Sequence, residues 1–480
     1  TQTVEPWLAE SWKASDDGTR VSLTLRQGVT FSDGQPFTAA DVVFSFEAVY
    51  DPKSGSTLAD ALEVGGKKLR VEAENPGTVT IVFPVPFAPG VRILDNLPIL
   101  PRHKLEQALK AGTFSSAWSL STPVSELSGL GPFVVSQYLP GQRLILVRNP
   151  RYWRKTGDGI PLPFLDRVTI EIIPDQNAAL LRLDAGQIDM TNGEVAPESY
   201  ATMKRAADAG RVHLLDLGVG YQADSFWFNL KPGAFGDDPR AAWLQSEDLR
   251  RAISMAVDRK AFADTVFFGA AEPVYGPETP SNKRWYWTGT PKTPYDPAAA
   301  RSLLGKLGVP PSAHFSLVTQ KGRPRYERAA AVLRDELKKI GLEVDVVALD
   351  GNALIERIIS GKYDSVYFNV ARSDTDPAIT PEFWLSSGTG HIWNMAQKSP
   401  ATEWERKIDQ LMTAQMASSN DAERKRLFDE VQQTFVEHVP VLYFAAPRIY
   451  VALSSRVMGA SPAVAVSPVL WAPDTLAVTH

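Results

Sequence analysis

Apolar positions along this chain switch repeatedly between a period of two and a period near 3.6. The stretch VSLTLRQGVTF alternates from Val21 to Phe31 and predicts a strand, closed by the turn Ser32-Asp-Gly-Gln-Pro36. Thr38 followed by Asp41 predicts a capped start for the apolar helix VVFSFEAVY, with the carboxylate at the positive helix end. TVTIVFPVPF, from Thr78 to Phe87, predicts a strand that its prolines confine to a sheet edge or end. PFVVSQY and RLILVRN, split by Pro140-Gly141, predict a strand pair. A helix follows on the stripe Leu180, Leu183 and Ile188, and after SFWFNL another runs from Leu249 toward Phe267. Asp296-Pro297 and Gly308 bracket a further helix. YERAAAVLRDELKKI ends at Gly341 and leads into the strand EVDVVAL. Two long helices, EWERKIDQLMTAQM and the Asn420-capped AERKRLFDEVQQTFVEH, precede the strand VPVLYFAAP. Strands and helices interleave without repeats or low-complexity tracts, which predicts an α/β architecture.

At 480 residues the chain exceeds what one compact core accommodates, so two to four structural units are expected. The formal net charge of −5 is small for this length, and Lys and Arg are spread out, which disfavours nucleic acid as a partner. The absence of cysteine removes disulfides, thiolate zinc sites and cysteine nucleophiles. No run of 18 apolar residues is present to span a bilayer. The opening TQTVEPWLAESW lacks the charged and apolar regions of an export signal, so such a signal is expected to be missing from this form.

Candidate chemistry is sparse. The six histidines (positions 103, 213, 314, 391, 438 and 480) are scattered, and there is no HExxH, nucleophile elbow, Walker loop or GxGxxG after a strand. No catalytic residue, metal site or cofactor is therefore assigned. The sharpest feature is RSDTDPAITPEFWLSSGTGHIW, residues 372–393. Its Asp374-Thr-Asp376 admits three readings: a turn before proline, a ligand-gripping carboxylate, or a hard-cation site, for which the neighbourhood adds only Glu382. Twelve tryptophans are many, and Trp285, Trp287, Trp384 and Trp393 fall in Pro- and Gly-rich surroundings. Such rings either wall a ligand cleft or plug the joints between subdomains.

EPWLAESWKASDDGTRVSLTLRQGVTFSDGQPFTAADVVFSFEAV resembles the signature region of the family 5 extracellular solute-binding proteins, the oligopeptide- and dipeptide-binding components of ABC importers. Five later blocks resemble the family in the same order: LGPFVVSQYLPGQRLILVRNPRYW, LLRLDAGQIDM, LRRAISMAVDRKAFADTVFFGAAEPVYGPETP, YDPAAARSLLGKLG and LRDELKKIGLEVDV. The resemblance implies a two-lobed, flytrap-like periplasmic-binding-protein fold of the class II type, with an extra subdomain in the first lobe. It divides the chain into a lobe I core (1–12, 131–224 and 445–480), the extra subdomain (13–130) and lobe II (225–444). The strands SFWFNL (225–230) and VPVLYF (439–444) would cross between lobes. The family usually carries several dozen residues before the point matching Glu5-Pro6-Trp7, where this sequence has four, so either a truncated chain or preceding residues outside this numbering are expected.

The resemblance also implies a peptide or small solute as ligand, permease subunits of an importer as partner, a monomer, and a periplasmic or extracellular location, membrane-anchored through residues before Thr1. Peptide-binding members pair an aspartate on a lobe II loop with the ligand's ammonium, four residues before a proline. Here that position is Ser373; Asp374 is displaced by one and follows Arg372. The implied ligand-binding residues are Asp374 as polar anchor, Arg372 as its neighbour or a carboxylate partner, Trp384 as aromatic wall, and Phe226 and Tyr443 facing the cleft. A non-peptide solute such as an oligosaccharide is the alternative. A hydrolase using Asp374 with Asp376 or Glu382 is the alternative of a different class.

Overall fold

The computed structural model describes residues 3–464 and 468–479, residues 371 and 373 excepted. A four-stranded antiparallel sheet orders Ala9–Ala14, Arg20–Leu25, Thr78–Val82 and Arg70–Asn75 side by side. The helix Ala39–Tyr50 lies against it, and its start is capped as the sequence predicts: the Thr38 N–H donates to the Asp41 carboxylate at 2.9 Å. Val21, Leu23, Val79, Ile81, Phe44 and Phe46 are buried in this part of the molecule. The sheet begins at Ala9, so it takes in residues that the expected border at 13 gave to the lobe I core.

Two three-stranded sheets follow. One joins Phe133–Leu139, Arg143–Arg148 and Arg167–Glu171; the other joins Val212–Val219, Ala445–Ser454 and Ala271–Pro273. A five-stranded mixed sheet orders Leu342–Leu349, Ala313–Gln320, Ser365–Phe368, Ser225–Phe228 and Val441–Tyr443. Its strands Ser365–Phe368, Ser225–Phe228 and Val441–Tyr443 are buried on both faces, whereas the edge strand Leu342–Leu349 is partly exposed. Alternation sends Phe226, Phe228, Phe315, Leu317 and Leu442 into one apolar cluster. Trp227, Val318, Val366, Val441 and Tyr443 enter another on the opposite face.

The chain passes twice between the last two sheets. Val212–Val219 continues through residues 220–224 into Ser225–Phe228, and Val441–Tyr443 continues through Phe444 into Ala445–Ser454. The two passages run side by side, with Ser225 paired to Tyr443 and Val219 to Arg448. The double crossing thus lies at residues 220–224 and at Phe444, beside SFWFNL and at the end of VPVLYF, which are themselves strands of the five-stranded sheet.

Local chemistry shortens several predicted elements. The strand from Val21 stops at Leu25, because Gly28 at φ +76° turns the chain. TVTIVFPVPF is extended only over Thr78–Val82, ending before Pro84. The helix starting at Gln176 ends at Asp184, ahead of Gly186 at φ +68°. The single helix expected from Leu249 to Phe267 is two, Glu247–Ala256 and Arg259–Phe267. Asp258 intervenes in an extended conformation and accepts from the amides of Lys260 (2.9 Å) and Ala261 (3.1 Å), capping the second.

Candidate functional site

The loop after Ser365–Phe368 meets the first crossing segment and the 3₁₀ helix Gly90–Asn96 of the N-terminal subdomain. Within it Asp374 Oδ1 accepts from Arg92 Nε at 2.8 Å and from the Asp376 amide at 2.7 Å. Arg92 Nη2 also donates to the Thr375 hydroxyl at 3.2 Å. Both charged side chains are largely shielded, at 17% and 13% exposure.

Arg372 lies next to them, its side chain largely shielded, and pairs with Glu278, while its Nη2 donates to the Pro277 carbonyl at 3.0 Å. Burial works against the Arg372 charge, but the adjacent Glu278 carboxylate outweighs it and raises the guanidinium's pKa. The guanidinium also lies over Phe383 and Trp384, 5.6 and 5.7 Å from the ring centroids. Glu278 accepts from Asn282 Nδ2 at 2.7 Å, and the same amide nitrogen reaches the Thr375 carbonyl at 3.0 Å. Gln222 Nε2, on the crossing segment, donates to the Arg372 carbonyl at 2.8 Å. One network thus joins the subdomain, the crossing and the loop. A small cavity beside it is lined by Gln222, Ser225, Val370, Arg372, Phe383 and Tyr443, among others.

The expected site residues divide. Arg372 and Tyr443 line this cavity, and Asp374 sits two residues further along the loop. Burial pushes the Tyr443 phenol far above its ordinary pKa, so it stays neutral. Phe226 does not face the cavity: the two-residue period turns it to the other sheet face, fully buried against Phe228 and Phe444. Trp384 is not an open wall either. It is 1% exposed and packs edge-on to Phe383 (4.9 Å) and Phe428 (5.0 Å). Trp285 and Trp393 are equally buried, so these three rings fill core. Ser373 lies outside the described residues.

The two aspartates have separate tasks. Asp376 is 2% exposed and accepts from Arg424 Nη2 at 2.6 Å and from the Ala378 amide at 3.0 Å. Glu382, by contrast, is exposed, and partial desolvation raises its carboxyl pKa despite Arg372 nearby. Sequence reasoning missed Arg92, Glu278, Asn282 and Gln222. Glu278 lies in the family-like block GPETP, but nothing local marks Arg92, 282 positions from its partner.

A larger cavity of about 350 Å³ lies elsewhere, walled by Trp7, Tyr152, Trp153 and Trp471. Its Asp474 is held by Arg154 and by the Tyr152 hydroxyl at 3.0 Å.

Two bodies joined by a pair of antiparallel crossings, with a polar network at their junction, define a two-lobed binding protein. The chain belongs to the bacterial extracellular solute-binding proteins, family 5, which it matches over residues 3–391. It is 26% identical to a probable ABC transporter-binding protein of Deinococcus radiodurans, over 96% of this chain and 82% of that one. It is 27% identical to di/tripeptide-binding protein 2 of Pseudomonas aeruginosa, over 95% and 84%. The crystal structure of a putative peptide-binding protein AppA from Clostridium difficile superposes with a TM-score of 0.82 at 21% identity, covering 99% of this chain and 93% of that one. No described helix is long and apolar enough to cross a membrane.

Proposed function

We propose that this protein captures peptides with a free amino terminus outside the cytoplasmic membrane and presents them to the permease subunits of an ABC importer. The observation that carries the reading is Asp374: a shielded carboxylate on the loop of one body, facing a residue of the other. Relatives described as di/tripeptide-binding and ABC transporter-binding support peptide and importer. In this reading the lobe I core is 1–8, 131–224 and 445–480, the subdomain that belongs to it runs from its first strand at Ala9 to 130, and 225–444 is lobe II, with one chain as the working unit. The apolar clusters support that division, because most members of each come from one of these parts. Arg372 is neutralised by Glu278, so it lines the site as a half of an ion pair rather than as an unpaired cation for a ligand carboxylate.

Ligand that touches both lobes stabilises closure by its differential affinity. Turning a mostly open population into a mostly closed one takes about 5.5 kcal/mol of such preference. The test is calorimetric titration of tri-alanine and N-acetyl-tri-alanine into wild type and Asp374→Asn. Wild type is expected to prefer the free amine, and the variant to lose at least tenfold in affinity for it. Equal affinity of the variant for tri-alanine would remove Asp374 as anchor.

A further inference from the structure

We propose that Arg92 is a built-in stand-in for the ligand's cation: it fills Asp374 in the ligand-free protein, clasps the lobes together, and must be displaced by the ligand's ammonium. This deepens the reading above and rests on Asp374 as the anchor. Three observations carry it. The first is ownership of charge. Asp376 pairs with Arg424 and Glu278 with Arg372, both cations from the same lobe as their carboxylates. Asp374 takes its cation from residue 92, in the subdomain on the far side.

The second is placement. Arg92 sits on the Gly90–Asn96 helix, one residue from Ile93, which is buried in the subdomain core. Its backbone therefore moves with the subdomain. The adjoining Ala88 N–H donates to the Met416 carbonyl at 2.7 Å, so the whole segment is seated against lobe II.

The third is chemistry. The guanidinium reaches Asp374 through Nε, while Nη2 is directed to Thr375. It makes no end-on fork onto the carboxylate, the geometry in which arginine outcompetes an ammonium most strongly. A compact ammonium with three donors can satisfy the same oxygen and leave Arg92 to rotate away. A neutral solute cannot, because it would strand Asp374 shielded and unpaired. The clasp thus selects ligands that bring a positive charge. Apparent affinity is lowered by the fraction of molecules already clasped.

The test combines tri-alanine and N-acetyl-tri-alanine calorimetry with small-angle scattering of the ligand-free protein, on wild type, Arg92→Gln, Arg92→Lys and Asp374→Asn. Arg92→Gln is expected to bind tri-alanine about tenfold more tightly, to gain nothing for the acetylated peptide, and to show a larger ligand-free radius of gyration. Arg92→Lys keeps the charge and should remain as compact as wild type. Weaker or unchanged tri-alanine binding by a folded Arg92→Gln overturns the proposal, as does an unchanged ligand-free radius. If Asp374→Asn loses tri-alanine and Arg92→Gln gains none, only the clasp falls. If Asp374→Asn binds as wild type, the anchor falls and the clasp's competitive role with it. The scattering arm requires no ligand and decides the structural half by itself.

Discussion

Glu405 shows how one buried carboxylate organises the loop beneath the site. Its Oε1 accepts from His391 Nε2 (3.1 Å), Trp393 Nε1 (3.3 Å) and Gln397 Nε2 (2.9 Å), and its Oε2 from the Thr402 amide (2.9 Å) and hydroxyl (3.0 Å). Burial raises its pKa, but the hydrogen bonds from His391, Gln397 and Thr402 prevail and bring it down to about 2. Because the folded value lies below the ordinary 4.5, Glu405 contributes stability above that pH, and the contribution is lost as pH falls from there toward 2. Glu405→Gln should therefore cost about 1–3 kcal/mol near neutral pH in urea unfolding, and the gap to wild type should close on acidification. A gap independent of pH would show that packing, not charge, holds this corner. Thr402, three residues before Glu405, has the local spacing of a capping box, whereas His391 reads in the sequence as an isolated histidine. The pairing of Asp374 with Arg92 was not legible either, since only the tertiary fold makes the two neighbours.

Elements explain why Asp374 and Asp376, two residues apart, do unlike things. Asp376 ties the loop to the helix Asp421–His438 through Arg424, and both side chains are 3% exposed. Asp376→Ala would leave Arg424 buried without its carboxylate, and a loss of about 3–5 kcal/mol is expected in chemical denaturation. Arg424→Ala should show the same deficit, with the double variant recovering part of it; full additivity would mean the pair does not act as one unit. Helix caps were readable at this scale because they are local: Asn420 accepts from the Glu423 amide at 3.0 Å and Asp296 from the Ala299 amide at 2.9 Å, both as the sequence predicts. The break at Asp258 was hidden by an unbroken apolar period, although the cap residue itself stood in plain view. The faces of the central strand were also hidden. SFWFNL is apolar on both sides, so periodicity cannot say whether Phe226 or its neighbours look toward the site.

At the scale of the whole molecule, the interleaved pattern announced α/β and the ordered blocks announced two lobes, but how tightly the lobes meet depends on contacts between distant segments. Besides Arg92 and Asp374, Arg328 approaches Glu198 at 3.6 Å, and Ile379 of the lobe II loop is buried among subdomain residues. If binding requires these surfaces to part, a covalent tie across them must stop exchange. The Ala88 amide donates to the Met416 carbonyl at 2.7 Å, which puts the two backbones in direct contact across this boundary. The chain has no cysteine, so Ala88→Cys combined with Met416→Cys can form only one intramolecular bridge. Oxidised, the double variant is expected to take up tri-alanine at least tenfold more slowly than wild type by stopped-flow tryptophan fluorescence, and dithiothreitol should restore the rate. The reduced form serves as its own control for side-chain effects. Wild-type uptake by the fully oxidised protein would mean that ligand enters without separating residue 88 from residue 416, and that closure takes place on other surfaces.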